Sequence, residues 1–149
     1  MRRVAGLVAL ALCTGVVPQL WAQSGDSVSA QAVPLDTDLT IGAVEVGCTG
    51  IGQTKHDPRW TAYPVRIEFA NAQSLYLSDA TIDLTSASGA PLASISCEGP
   101  WILLKLPAGR YTVHARLNGS TAKPRSASFS PPAKGQMRLV LQFPDAVDQ

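Results

Sequence analysis

Charge of either sign is scarce in this chain. Asp, Glu, Lys and Arg make up 15% of its 149 residues, twelve basic against eleven acidic, for a formal net charge of +1. No basic stripe is available to neutralise phosphates, so nucleic acid is excluded as a partner. Histidine is almost missing, with His56 and His114 the two present. No Gly-x-Ser-x-Gly occurs, so a serine nucleophile with an adjacent base and an orienting carboxylate has no motif here. Cys48, Cys97, His56 and His114 contain no pair at zinc-ligand spacing, and the carboxylates form no close acid/base pair. No metal, no cofactor and no enzymatic activity are therefore expected. Past the first two dozen residues there is no apolar run approaching the ~18 residues needed to cross a bilayer and no helical period, which excludes a transmembrane segment and an α-helical domain.

The apolar excess sits at the N-terminus. Arg2 and Arg3 precede an apolar run from Val4 to Val17, Pro18 breaks it, and Ala22 offers a small residue before Gln23. That pattern reads as a secretory signal peptide over residues 1–22, a lipoprotein cut before Cys13 being the rival. Its removal leaves ten basic against eleven acidic residues, net −1, and two cysteines, Cys48 and Cys97. In an oxidising compartment such a pair is most simply a disulfide, with two buried free thiols as the competing state. The expected location is periplasmic or secreted.

Residues 23–38 are rich in Ser, Ala and Gln, without period, and read as a flexible lead-in. Residues 39–62 hold a weak alternation over 39–46, a possible short edge strand, and the glycine-rich run Gly47-Cys48-Thr49-Gly50-Ile51-Gly52. A phosphate-binding reading of that run fails, because Gln53 to Pro58 offers no helix whose free N–H groups would receive the anion.

From Tyr63 onward, period two dominates. Tyr63, Val65, Ile67 and Phe69 alternate with Arg66 and Glu68; Ala80, Ile82 and Leu84 with Thr81 and Asp83; Tyr111, Val113, Ala115 and Leu117 with Thr112, His114 and Arg116. Trp101 to Leu106 is apolar on both faces, the mark of a central strand covered on both sides. Pro107-Ala108-Gly109 and Asn118-Gly119 are turns. Seven strands between residues 63 and 143, at roughly ten-residue spacing, predict an all-β, antiparallel, seven-stranded β-sandwich, with residues 144–149 as a tail. Lys123-Pro124-Arg125 marks one edge as blocked against further pairing, while the edge near Tyr63 is less protected.

Asp79-Ala80-Thr81-Ile82-Asp83-Leu84, Gly89 and Leu106-Pro107-Ala108-Gly109-Arg110-Tyr111-Thr112-Val113 resemble the carboxypeptidase regulatory-like domain, a prealbumin (transthyretin)-like Greek-key sandwich. With Gly50-Ile51-Gly52, Gly99-Pro100-Trp101 and the stretches around Tyr63 and Leu75, the chain is similar to small exported proteobacterial proteins that carry this domain alone. The resemblance implies the fold, and it implies no catalytic machinery, since such domains accompany catalytic ones. The function expected is that of a non-catalytic protein-interaction or structural module of the bacterial envelope, with an envelope protein as partner. The alternative is a glycan- or peptide-binding module built on loop aromatics, with Trp60, Tyr63 and Tyr76 as its surface and Trp60 exposed. Trp101 is expected to plug one end of the sandwich and Tyr111 to line its core.

Overall fold

A computed structural model describes residues 28–147. The signal peptide, the Cys13 alternative and the start of the lead-in lie outside the described residues. Ten strands follow one another: β1 (Gln31–Val33), β2 (Thr37–Ile41), β3 (Val44–Thr49), β4 (Val65–Ala70), β5 (Ala80–Ser86), β6 (Pro91–Cys97), β7 (Trp101–Lys105), β8 (Tyr111–Leu117), β9 (Arg125–Phe129) and β10 (Met137–Gln142). They form two five-stranded sheets, ordered β1-β6-β5-β8-β9 and β10-β4-β7-β3-β2.

The two sheets pack face to face because each offers alternate apolar residues to the other. Ile82, Leu84, Ile95, Val113 and Ala115 come from the first sheet and Val46, Ile67, Phe69, Ile102 and Leu104 from the second, none more than 1% exposed. Cys48 of β3 and Cys97 of β6 are joined by a disulfide that ties one sheet to the other across this core.

The sandwich is mixed and ten-stranded where seven antiparallel strands were expected. β1 runs parallel to β6, and β10 runs parallel to β4. The segment read as a flexible lead-in supplies β1 and the start of β2, so that expectation is corrected over Gln31–Val33 and from Thr37 onward. The possible edge strand over 39–46 is two strands, paired Ile41↔Val44, with Gly42 at φ 59° in the two-residue turn between them. β3 is interior, between β2 and β7, so Gly47 and Cys48 belong to a strand and not to a loop. The strand near Tyr63, β4, is likewise no edge, because β10 covers it. β9 is an edge, entered directly after Pro124, as read from sequence. No helix among the described residues is long and apolar enough to cross a membrane.

Candidate functional site

The alternation that sends Ile67 and Phe69 into the core sends Arg66 and Glu68 to the outer face of the second sheet. There they lie opposite Leu103 and Trp101 of β7, with Arg138 of β10 beside Arg66 on the other side. Outward side chains of a sandwich normally meet water, yet Trp101 and Leu103 are buried and Glu68 is 0% exposed. A second layer covers them.

Over Leu103 and beside Trp101 that layer is the segment between β3 and β4, and over Glu68 it is Tyr76 with Arg66 and Arg138. Two 3-10 turns, Thr54–His56 and Pro58–Ala62, follow one another; the Asp57 side chain accepts the Arg59 N–H and Pro58 presets the first position of the second turn. The second turn lowers Trp60 onto the sheet. The residue beneath is Gly47, where a Cβ would sit 2.8 Å from Trp60 Cζ3. The indole is fixed by its Nε1, which donates to Thr54 O at 2.8 Å, and by Tyr63 and Leu103, which form a small cluster with it. Gln136 Nε2 donates to the carbonyls of both Trp60 and Tyr63 at 2.8 Å and clamps the lid to the chain entering β10. Arg59 closes the outside, its guanidinium 4.1 Å from the Trp60 ring centroid and bonded to Asp36 O. The Tyr63 hydroxyl is pushed above its ordinary pKa by burial, with Asp38 and Glu45 adding and Arg59 opposing.

Glu68 is the hub of the neighbouring cluster. Arg138 reaches Oε2 with Nη2 at 2.6 Å and Nε at 2.7 Å, and the Tyr76 hydroxyl donates to the same oxygen at 3.2 Å. Arg66 Nε lies 2.8 Å from Oε1, but neither atom makes a well-aligned hydrogen bond, so that contact is one of charge. The Arg138 pKa is raised above its ordinary value by the bond to Glu68 first and by Tyr76 second. The Arg66 guanidinium stacks 4.5 Å from the Trp101 ring centroid, and Tyr76 meets the same ring edge-on at 6.0 Å.

Between lid and sheet lies a cleft of about 240 Å³, bounded by Lys55 and His56 on the lid, Trp60 and Gln136 at one side, and Arg66 and Trp101 on the sheet. Its polar groups are not all satisfied. Among the described residues Trp101 Nε1 is buried without a hydrogen-bond partner, a state that costs on the order of 1–3 kcal/mol. The larger cavity, about 350 Å³ on the first sheet, differs: its Asp83 already accepts from Ser94 and from Arg116. A smaller apolar cavity, about 190 Å³, opens near Leu106 and Tyr111.

The structure gathers the three aromatics read from sequence onto one side of the molecule, with altered roles. Trp60 is 3% exposed, not a surface platform, because Gly47 leaves it a seat on the sheet. Tyr63 is buried beside it, and only Tyr76, 47% exposed, presents a ring to solvent. Trp101 does not plug the sandwich but walls the outer cleft, whereas Tyr111 does line the core, stacked on Phe129 with its hydroxyl bonded to Pro107 O. His56 borders the cleft, whereas His114 stands on the first sheet, its Nδ1 2.6 Å from Oγ of its cross-strand neighbour Ser126. Among the described residues no three His, Cys, Asp or Glu side chains are grouped to hold a metal ion. Arg66, Glu68, Arg138 and Lys55 escaped the sequence reading. Their signal was the outward pair Trp101 and Leu103, which requires a cover and therefore buries whatever stands beside it in the sheet.

No family model matches this chain, and no curated protein matches it. A solved structure of Klebsiella pneumoniae 5-hydroxyisourate hydrolase is similar to it at 17% identity and a TM-score of 0.41, over 56% of this chain and 90% of that one. That neighbour, a transthyretin-like sandwich, is an enzyme, and with this finding the expectation that the present chain is not one is withdrawn. At that identity and score, the likeness assigns no reaction to this chain.

Proposed function

We propose that this chain is an exported binding module of the bacterial envelope, of carboxypeptidase regulatory-like type, that engages a protein partner through the outer face of its second sheet. The observation that carries the reading is the roofed cleft, lined by a stacked arginine and by Trp101, whose buried indole N–H has no partner among the described residues. Leu75 and Tyr76, 56% and 47% exposed, extend this face beyond Trp101. Arginine and aromatic side chains of this kind anchor protein interfaces. The signal-like N-terminus and the inter-sheet disulfide support export to the periplasm or beyond.

A glycan-binding reading draws less support. Stacking on sugar needs an open ring face, and of Trp60, Tyr63 and Tyr76 the last alone keeps one.

A photo-crosslinking residue placed at Tyr76, and separately at Ser128 on the first sheet, tests the proposal in the envelope of the producing bacterium. One envelope protein captured from Tyr76 and not from Ser128 is the expected result. Equal capture from both positions, or none from Tyr76, would refute it; a glycan bound in a Tyr76-dependent way would move the assignment to the alternative.

A further inference from the structure

We infer that the cleft under the 54–62 lid is a receptor for a carboxylate of the partner, an acidic peptide segment whose Asp or Glu side chain enters between Lys55, Arg66 and Trp101. This rests on the binding-module reading and names the chemistry that its site selects.

The charge arrangement favours an anion. Arg66 and Arg138 share one carboxylate, Glu68, while Asp57, which also lines the cleft, is paired with Arg59. Lys55 borders the cleft and makes no ion pair among the described residues. Arg66 turns its Nε to Glu68, and its two terminal nitrogens make no hydrogen bond among the described residues. Held by a charge on one side and an indole on the other, the guanidinium offers a fork that matches the two oxygens of a carboxylate.

Trp101 supplies an observation independent of charge. It is more than nine-tenths buried, it lines the cleft, and its Nε1 donates to nothing among the described residues. An indole nitrogen can only donate, so what completes it is an acceptor. The other described tryptophan needs no such completion, since Trp60 already donates to Thr54 O.

The two indoles give the test its readout. The chain, labelled with ¹⁵N-tryptophan, is titrated with the peptide Ac-GELEG-NH2, with its neutral twin Ac-GQLQG-NH2, and with inorganic phosphate. The acidic peptide should move the Trp101 indole N–H signal downfield in a saturable way and leave that of Trp60 in place. The neutral twin should bind at least about tenfold more weakly, the scale of one charge-assisted hydrogen bond. Arg66→Lys, which keeps the charge and loses the fork, and Lys55→Gln should each weaken binding roughly fivefold or more, Lys55→Gln with the thermal midpoint unchanged.

Equal affinity for both peptides, an unmoved Trp101 signal at millimolar acidic peptide, or an Arg66→Lys protein that binds as well as the parent would overturn the inference. Phosphate alone producing the same saturable shift would also overturn it, in favour of a free-anion site. If the peptides fail while the Tyr76 crosslink to an envelope protein persists, the carboxylate receptor falls and the binding module stands.

Discussion

Replacing Glu68 by Gln removes the charge around which the outer layer is assembled and keeps the shape of the side chain. Breaking a fully buried pair by deleting one partner costs about 3–5 kcal/mol, because the remaining charge is stranded out of water. Here the carboxylate is fully buried, but the Arg66 and Arg138 side chains left behind are 27% and 55% exposed, so water recovers part of that loss. The retained amide oxygen recovers a little more, leaving an expected loss of about 2 kcal/mol. For a domain of this size that lowers the thermal midpoint by roughly 8 °C. The comparison that gives the number meaning is Lys105→Gln, which breaks the pair with Glu45 at 3.0 Å, both side chains about half exposed. A pair of that kind contributes less than about 1 kcal/mol and fades in salt. Differential scanning calorimetry at low salt and at 0.5 M salt, by way of probe, separates the two. A Glu68→Gln shift no larger than that of Lys105→Gln, or one that salt abolishes, would show that the Glu68 cluster behaves as an ordinary surface pair.

Gly47→Ala should force Trp60 off its seat, since the added methyl would stand 2.8 Å from Cζ3 and 3.4 Å from a Leu103 methyl; the expected loss is about 1–3 kcal/mol with a red-shifted tryptophan emission, and an unchanged spectrum would disprove the seating. Reducing the Cys48–Cys97 bridge, which closes a separation of 49 residues, should cost about 4 kcal/mol by the loop-entropy estimate, read as a fall in urea midpoint; a loss under about 1 kcal/mol would contradict it. The raised Tyr63 pKa means the folded state holds its phenolic proton more tightly than the unfolded chain, so the corresponding stability is complete below the ordinary value of 10.0 and declines as pH climbs past it. Tyr63→Phe should flatten that alkaline decline in urea midpoints, and an identical slope in both proteins would count against the burial argument.

Where a strand alternates apolar and polar residues, it announces itself whatever the direction of its neighbour: β4, β8 and β10 were legible from alternation, and β7 from being apolar on both faces. Four features were hidden for physical reasons. β1 is three residues long, too short to carry a period, and takes its place through a parallel pairing with β6 that no local pattern encodes. β2 and β3 merged into one apparent strand because the turn between them is two residues, and Gly42 at φ 59° was its sole local mark. Trp60 looked exposed because it follows Pro58 and Arg59 in a polar segment, while its seat, Gly47, is defined only once β3 is placed inside the sheet. Arg138 and Glu68, far apart in sequence, meet through the parallel β10–β4 pairing, which alternation does not reveal.

The outer layer also explains how a small sandwich can hold a ligand-ready arginine without loosening its core. Fixing a long charged side chain costs on the order of 2 kcal/mol in rotamer freedom, and a free surface arginine meets that cost when it binds. In this fold the cost is met on folding, because Glu68 and Trp101 confine Arg66 in advance. Glu68 is then a positioning residue: it need not touch a ligand for its loss to weaken binding. Glu68 and Trp101 are directly opposed in register on β4 and β7, the strands whose other faces hold Ile67 and Ile102 in the core. The rigidity of the sandwich is thereby passed to the cleft through the pleat of two adjacent strands, and not through the loops that roof it.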